Sequence, residues 1–385
     1  MGRPRTIQVA IRAYATDWGF RGEGTRQIDW LLDGEKLHRD NVVFVIDKPV
    51  SATYLQAFHD RGYQVYDASV PWPLDQFEVA NRRRWQGFLR HWKPSHWVSY
   101  NDFHPRHKVR NHLLREAGCR TWNYVHSSHD MEVFGPERPK NNPPRWLEGD
   151  YDHLIAWGRR DAALYCRTAQ KHIVGPLWSC EVQSSPRLRS LLDARKAGTG
   201  PVIAVFDSTF DPATLYGAED ARAFFEGLRM LLDRPEWSSV TMLYKPKNKL
   251  AEIRERIPEA AAALENLLRH ERCVALPPEI APGAAIAEAA LTISLAFTST
   301  TVEALGARRR ALYFDPRGKY RHSYYEQFPN LVAHDRDELA RLCRHWLDMP
   351  DADFQKYLDD RLAPEFGGYM DACAAARFRE ALTHE

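Results

Sequence analysis

Apolar and polar positions along this chain follow a repeating rhythm. A short apolar run is followed by a longer stretch with apolar residues three and four apart, then by another short run. Short apolar runs bounded by turn residues read as strands buried on both faces, and the longer amphipathic stretches read as helices. In the first half this predicts strands at 7–13, 42–46, 64–66, 96–100, 121–125, 153–156 and 172–174, with helices at 52–61, 76–91 and 106–117. Residues 135–146, rich in Pro and Asn, read as a surface loop. The rhythm breaks at 181–200, which is polar, contains Ser184-Ser185-Pro186 and ends in Gly198-Thr199-Gly200-Pro201; it reads as a linker. A second series predicts strands at 202–206, 241–244, 274–276, 291–295 and 311–314, and helices at 218–232, 249–256, 260–270, 284–288, 301–306 and 337–346.

Strands alternating with helices imply parallel sheets covered on both faces. The expected fold is therefore α/β, with two Rossmann-like domains facing a cleft. Residues 1–180 form the first domain, 181–200 the linker and 201–350 the second domain; the helices of 351–385 fold back on the first. Ligands of such sheets bind beyond the carboxyl ends of strands, so the loops after strands matter most for chemistry.

The densest such loop is Phe297-Thr298-Ser299-Thr300-Thr301-Val302-Glu303, between the strand at 291–295 and a helix. Four consecutive hydroxyl residues fall where a first helical turn has unpaired amides and partial positive charge, which suits a phosphate. The simpler alternative is N-capping by Ser299 or Thr300, with Glu303 closing a capping box. One hydroxyl suffices for a cap, so four in a row favour an anion site.

Other strand ends add to this. Asp207 follows the strand at 202–206, with Asp211 four residues on in the same loop; either is a candidate nucleophile, base or substrate acceptor, or a turn former. Lys245-Pro246-Lys247 offers cations after the second strand, and Arg317 and Lys319 after the strand at 311–314. Convergence of these loops is more specific than any one alone. In the first half, His126, His129, Asp130 and Glu132 follow a strand. Without HExxH or CxxC company they read as a base or acceptor-binding loop, with Asp130 and Glu132 as candidates, and not as a metal site. Gly22-Glu23-Gly24 lacks both the dinucleotide and the P-loop pattern.

Composition narrows the partners. The chain has 385 residues, 44% hydrophobic and 27% charged, with a net charge of +2, so nothing points to nucleic acid. Cations crowd 82–120 and offer a surface for anionic lipid or an acidic acceptor, or a solvated face. Ten of the twelve Trp precede residue 180; an aromatic-rich half suits sugar rings, or is core. Scattered cysteines and the lack of a signal or a long apolar run lead to the expectation of a cytoplasmic protein, peripheral at most to the inner membrane.

Taken together, Lys245-Pro246-Lys247, the run Ser299-Thr300-Thr301-Val302-Glu303-Ala304-Leu305-Gly306 and the following Tyr313-Phe314-Asp315 resemble GT-B glycosyltransferases of bacterial surface polysaccharides. They are most similar to users of CMP-activated acidic sugars, and among these to retaining β-Kdo (3-deoxy-D-manno-octulosonic acid) transferases of lipopolysaccharide O-antigen and capsule. The resemblance implies transfer of Kdo from CMP-Kdo to a glycan or lipid-linked glycan acceptor, with no resident cofactor or metal. It further implies CMP held by Lys245, Lys247, Thr298, Ser299, Thr300, Thr301, Glu303, Arg317 and Lys319, and a covalent intermediate on Asp207, with Asp211 as second choice. The chain departs from the pattern at Tyr244, where related CMP-sugar enzymes often have histidine. Two alternatives accompany this reading. One is an inverting sialyl- or glycerophosphate transferase using CMP-sialic acid or CDP-glycerol, with Asp207 or Asp130 as base. The other is a glycan-binding relative without turnover.

Overall fold

The structure, a computed structural model, describes residues 8–384 except 14–19, 22–23, 26–27, 34–36, 38, 71–76, 101–104, 128–148, 165–169, 195–199, 211–215 and 248–249. It contains two parallel sheets. The first is formed by β1 (Val9–Arg12), β4 (Val42–Ile46), β5 (Gln64–Asp67), β6 (His96–Tyr100), β7 (Arg120–Tyr124), β8 (His153–Ala156) and β9 (Gln170–Ile173), in the order β5-β4-β1-β6-β7-β8-β9; β2 (Phe20–Arg21) and β3 (Gly24–Thr25) make a separate antiparallel pair. The second comprises β10 (Val202–Phe206), β11 (Thr241–Lys245), β12 (Cys273–Ala275), β13 (Leu291–Leu295), β14 (Ala311–Phe314) and β15 (Val332–Ala333), in the order β12-β11-β10-β13-β14-β15. Every strand predicted from the hydrophobic rhythm is present; β15 is too short to leave a pattern.

Helices alternate with these strands. They are α1 (Ala52–Asp60), α2 (Glu78–His91), α3 (Pro105–Glu116), α4 (Arg159–Leu164), α5 (Pro186–Ala194), α6 (Ala218–Asp233), α7 (Leu250–Arg256), α8 (Pro258–Leu268), α9 (Pro282–Glu288), α10 (Ser299–Gly306), α11 (Arg336–Asp348), α12 (Asp351–Tyr357) and α13 (Ala374–His384). Local chemistry explains several starts. The Ser51 hydroxyl accepts from the Tyr54 amide ahead of α1, and the Asp335 carboxylate accepts from the Asp337 and Glu338 amides ahead of α11. Central strands such as Val-Ile-Ala-Val-Phe at β10 are buried almost throughout, as sheets covered on both faces require. Helix α6 lies close on the second sheet: a Cβ at Gly227 would come 2.7 Å from the Phe314 ring.

The chain divides into two compact units. The first holds the described residues of Met1–His126, Pro143–Gly175 and Cys373–Glu385, and the second those of Ser127–Asn142 and Pro176–Ala372. The α/β class with two Rossmann-like domains is thus the one expected. The stretch 181–200, expected as a linker, contains α5 and groups with the second unit, as does α12. Of the C-terminal helices, α13 belongs to the first unit, where the Arg377 guanidinium donates to the Val174 carbonyl at 2.8 Å and the Phe378 ring meets Trp30 and Tyr124.

Most of the described tryptophans of the first half are core. Trp85, Trp97, Trp122, Trp157 and Trp178 are all fully buried. Much of the basic stretch is likewise engaged. Arg110 is buried against the Trp97 and Trp85 rings, Arg115 pairs with Asp150, and Arg82 pairs with Glu78. Among the described residues, no helix is long and apolar enough to cross a membrane.

Candidate active site in the second unit

In the second sheet the strand order runs outward in opposite directions from β10 and β13, so the order reverses between them. At such a reversal, loops on the carboxyl side splay apart and leave a crevice for a ligand. The residues there are Asp207, after β10, and the turn Ala296-Phe297-Thr298, after β13.

Helix α10 begins two residues earlier than its pattern predicts, so Ser299, Thr300 and Thr301 all occupy its first turn. Their amides have no carbonyl one turn back to bond and open toward the crevice. The N-cap is Thr298, with no side-chain capping bond, and Glu303 lies buried in the helix body and not at the third position. The capping-box alternative is therefore not the arrangement found.

The four hydroxyls have different tasks. Thr301 is buried and donates to the Leu312 carbonyl at 3.1 Å, pinning α10 to β14. The Thr300 hydroxyl lies 2.8 Å from that of Ser294 and 3.2 Å from that of Thr298. Ser299 alone of the four has no side-chain partner among the described residues and is partly exposed. Its hydroxyl and the neighbouring amides form a compact set of donors. Aromatic rings steady the turn. The Phe297 amide donates to the Tyr216 hydroxyl at 2.9 Å, and the Phe297 ring packs against Tyr313, Tyr320 and Tyr325. The loops after β10, β13 and β14 thus meet here, through Tyr216, Phe297 and Tyr320.

Asp207 is set deeper than expected. It is 4% exposed; its Oδ2 accepts from the Tyr244 hydroxyl at 2.6 Å and its Oδ1 from the Lys247 amide at 2.6 Å. Burial pushes its carboxyl up to about 7, against the opposing pull of those two bonds. Tyr244, the departure noted in the sequence, is the hydroxyl that holds Asp207. The carboxylate thereby fastens the Lys245-Pro246-Lys247 turn to the end of β10.

The cations behave differently from one another. Lys245 is buried and donates to the Pro277 and Pro278 carbonyls, each at 3.1 Å, so it shapes the loop after β12. Lys247 is exposed. Arg317 pairs with Glu219 at 2.7 Å and Asp220 at 3.4 Å, and the Lys319 ammonium lies 3.5 Å from Asp220. The charge expected of Arg317 and Lys319 is thus largely balanced at the start of α6. Asp130, Glu132 and Asp211 lie outside the described residues.

A buried histidine, absent from the sequence-level candidates, stands behind this wall. His334, just after β15, places Nδ1 3.3 Å from Asp315 Oδ2 and Nε2 3.1 Å from Glu326 Oε2. Burial alone would lower its affinity for a proton; the bonds to Asp315 and Glu326 outweigh it and raise the imidazole to about 9. The sequence signal, His334 preceding Asp335 at a helix start, is too common to single it out.

Solved structures share this architecture over nearly the whole chain. A glycosyltransferase from Rickettsia africae matches with a TM-score of 0.62 at 8% identity, covering 99% of each chain. HepE of Anabaena, in complex with UDP and glucose, matches with 0.58 at 13%, covering 98% of this chain and 97% of its own. A structure titled as a UDP-N-acetylglucosamine 2-epimerase from Listeria monocytogenes matches with 0.64 at 13%, covering 99% and 96%. The fold is therefore that of the GT-B class, with two Rossmann-like domains. A family profile described as "polysaccharide biosynthesis PFTS motif protein" matches residues 76–343, well over half the chain, and the chain belongs to that family. The letters F, T and S of that description occur in this order at Phe297-Thr298-Ser299, the turn that opens α10, with Ala296 where the description has Pro. No curated protein matches by sequence.

Proposed function

We propose that this protein is a glycosyltransferase of polysaccharide biosynthesis that binds a nucleotide-activated sugar at the start of α10 and passes the sugar to a glycan or lipid-linked glycan acceptor. One observation carries the reading: at the reversal of strand order, the turn Phe297-Thr298-Ser299 presents the Ser299 hydroxyl beside the unbonded amides of a first helical turn. Such donors stabilise the charge that develops on a departing phosphate, without needing to reorganise during the step. The reaction as proposed uses no resident cofactor or metal. The nucleotide sugar is substrate, and the nucleotide is product.

The finer proposal is CMP-Kdo as donor. The charge balance supports a single phosphodiester over a diphosphate: Lys245 is engaged with carbonyls, and Arg317 and Lys319 face Glu219 and Asp220, so most of the predicted cationic charge is already balanced. The UDP in the HepE complex favours a diphosphate donor instead. Both oxygens of Asp207 are engaged, so we assign it to holding the 245–247 turn. A sugar adduct trapped on Asp207 would reverse that assignment in favour of the covalent mechanism. Work at the cytoplasmic face of the inner membrane belongs to the same proposal; Phe77 and Val79, exposed at the start of α2 and followed by exposed Arg83 and Arg90, support a peripheral contact.

The test is separate incubation with CMP-Kdo, UDP-glucose, CMP-sialic acid and CDP-glycerol, following nucleotide release with and without a mixed glycan acceptor. Release from CMP-Kdo is expected. Turnover of another donor alone replaces the donor and leaves the class standing. A UDP-sugar altered while still attached to its nucleotide would make the protein an epimerase, and binding of none would remove the nucleotide site.

A further inference from the structure

The buried cluster around His334 has no part in binding as described above, yet it adjoins the motif turn through two consecutive layers. Asp315 ends β14, Glu326 lies on the short 3-10 helix Tyr324–Gln327, and His334 follows β15. Each ring nitrogen of His334 faces a carboxylate, and only the imidazolium, with two N–H donors, satisfies both. The other charged groups at hand are Glu338 on α11, whose Oε2 accepts from the His334 amide at 3.0 Å, and Arg341, which pairs with Glu338. His334 and Asp315 are almost wholly buried.

From this cluster the contacts run toward the site. Asp315 Oδ2, already shared with His334, also accepts from the Tyr320 amide at 2.8 Å. Glu326 is the neighbour of Tyr325. The rings of Tyr320 and Tyr325 stand 5.7 and 5.2 Å from that of Phe297, the Tyr325 ring stacked on it. Phe297 precedes Thr298 and Ser299, so its placement sets where the first-turn donors of α10 point.

We propose that His334 is a positioning residue for the motif turn: its imidazolium, held between Asp315 and Glu326, fixes Tyr320 and Tyr325 and through them Phe297, so that the donors of Ser299 and the α10 amides are preset for a phosphate. Removing the positive charge leaves the buried Asp315 and the half-buried Glu326 without their shared counter-charge, and the loop that carries Tyr320 loses its tie. The inference rests on the nucleotide-site reading above, and its test separates the two.

The first measurement is hydrogen exchange on the intact protein, wild type against His334→Gln and His334→Ala, with no ligand. Exchange at the hydrogen-bonded Phe297 and Thr298 amides and at 315–321 is expected to accelerate at least about tenfold in both variants, while 202–206 stays protected. Unchanged protection at Phe297 and Thr298 in a folded variant overturns the proposal, whether or not the protein binds nucleotide. The second is calorimetry with CMP and with UDP between pH 7 and 10. Wild-type affinity for whichever binds is expected to fall above about pH 9, as His334 loses its proton. His334→Gln is expected to start at least about fivefold weaker and lack that step. A variant with wild-type affinity and the same pH profile overturns the positioning role. A wild type that binds neither nucleotide sinks the site reading instead, and the exchange result still judges His334.

Discussion

Asp207→Asn separates a charge that costs stability from a shape that provides it. In the folded protein, burial lifts the Asp207 carboxyl from 3.8 to about 7, so between about pH 4 and 7 the folded chain holds a proton that the unfolded chain has already released. The associated stability is fully present below about pH 4 and is lost as pH rises through 7. At about 1.4 kcal/mol per tenfold change in acidity, the ionised carboxylate withholds up to about 4 kcal/mol from the folded state at pH 8. Asparagine removes the charge and keeps the bonds: its Oδ1 can accept from the Lys247 amide, and its amide can donate to the Tyr244 oxygen. Urea unfolding of both proteins from pH 4 to pH 8 is the assay, and the difference between the two curves cancels every other titrating group, His334 included. The smallest difference is expected at pH 4, with the variant gaining steadily as pH rises and ahead by up to about 4 kcal/mol at pH 8. Parallel curves would show that Asp207 titrates normally and would refute the buried clamp. Asp207→Ala, by contrast, leaves the Tyr244 hydroxyl and the Lys247 amide without their acceptor and is expected to lose about 2–6 kcal/mol at pH 4, a cost that shrinks toward pH 8 as the wild-type carboxylate ionises.

The hydroxyls of the motif divide by function. Ser299→Ala is expected to weaken nucleotide binding about tenfold in calorimetry with the melting temperature unchanged; an unaltered Kd would remove Ser299 from the site. Thr301→Ala is expected to cost about 1–2 kcal/mol of stability through the lost bond to the Leu312 carbonyl, measured by denaturant titration. Lys245→Met is expected to destabilise by about 1–3 kcal/mol, because the Pro277 and Pro278 carbonyls lose their donor. A stable Lys245→Met that fails only in binding would return the lysine to the phosphate. Arg317→Ala is expected to change nucleotide affinity less than twofold, its charge being balanced by Glu219 and Asp220; a tenfold loss would show that it turns to the ligand.

The sequence by itself determined the architecture. Runs such as 42–46 and 202–206 are apolar on both faces, and only strands in a covered parallel sheet bury both faces, so the two α/β series and the strand-end loops were legible without coordinates. The motif turn was legible too, because four hydroxyls exceed what a cap requires. Tertiary structure decided how each polar side chain is used. Arg317 and Lys319 read as free cations until the fold set Glu219 and Asp220 beside them from about a hundred residues away. Asp207 read as a nucleophile from its strand-end position alone; that Tyr244 and Lys247, at the neighbouring strand's end, engage both its oxygens appears only in the fold. His334 left no pattern at all, since its meaning lies in Asp315 and Glu326 reaching it from separate loops. Hydrophobic periodicity is a local property and survives in the sequence. The pairing of buried charges is a property of which strand ends become neighbours, and that is fixed only when the sheet assembles.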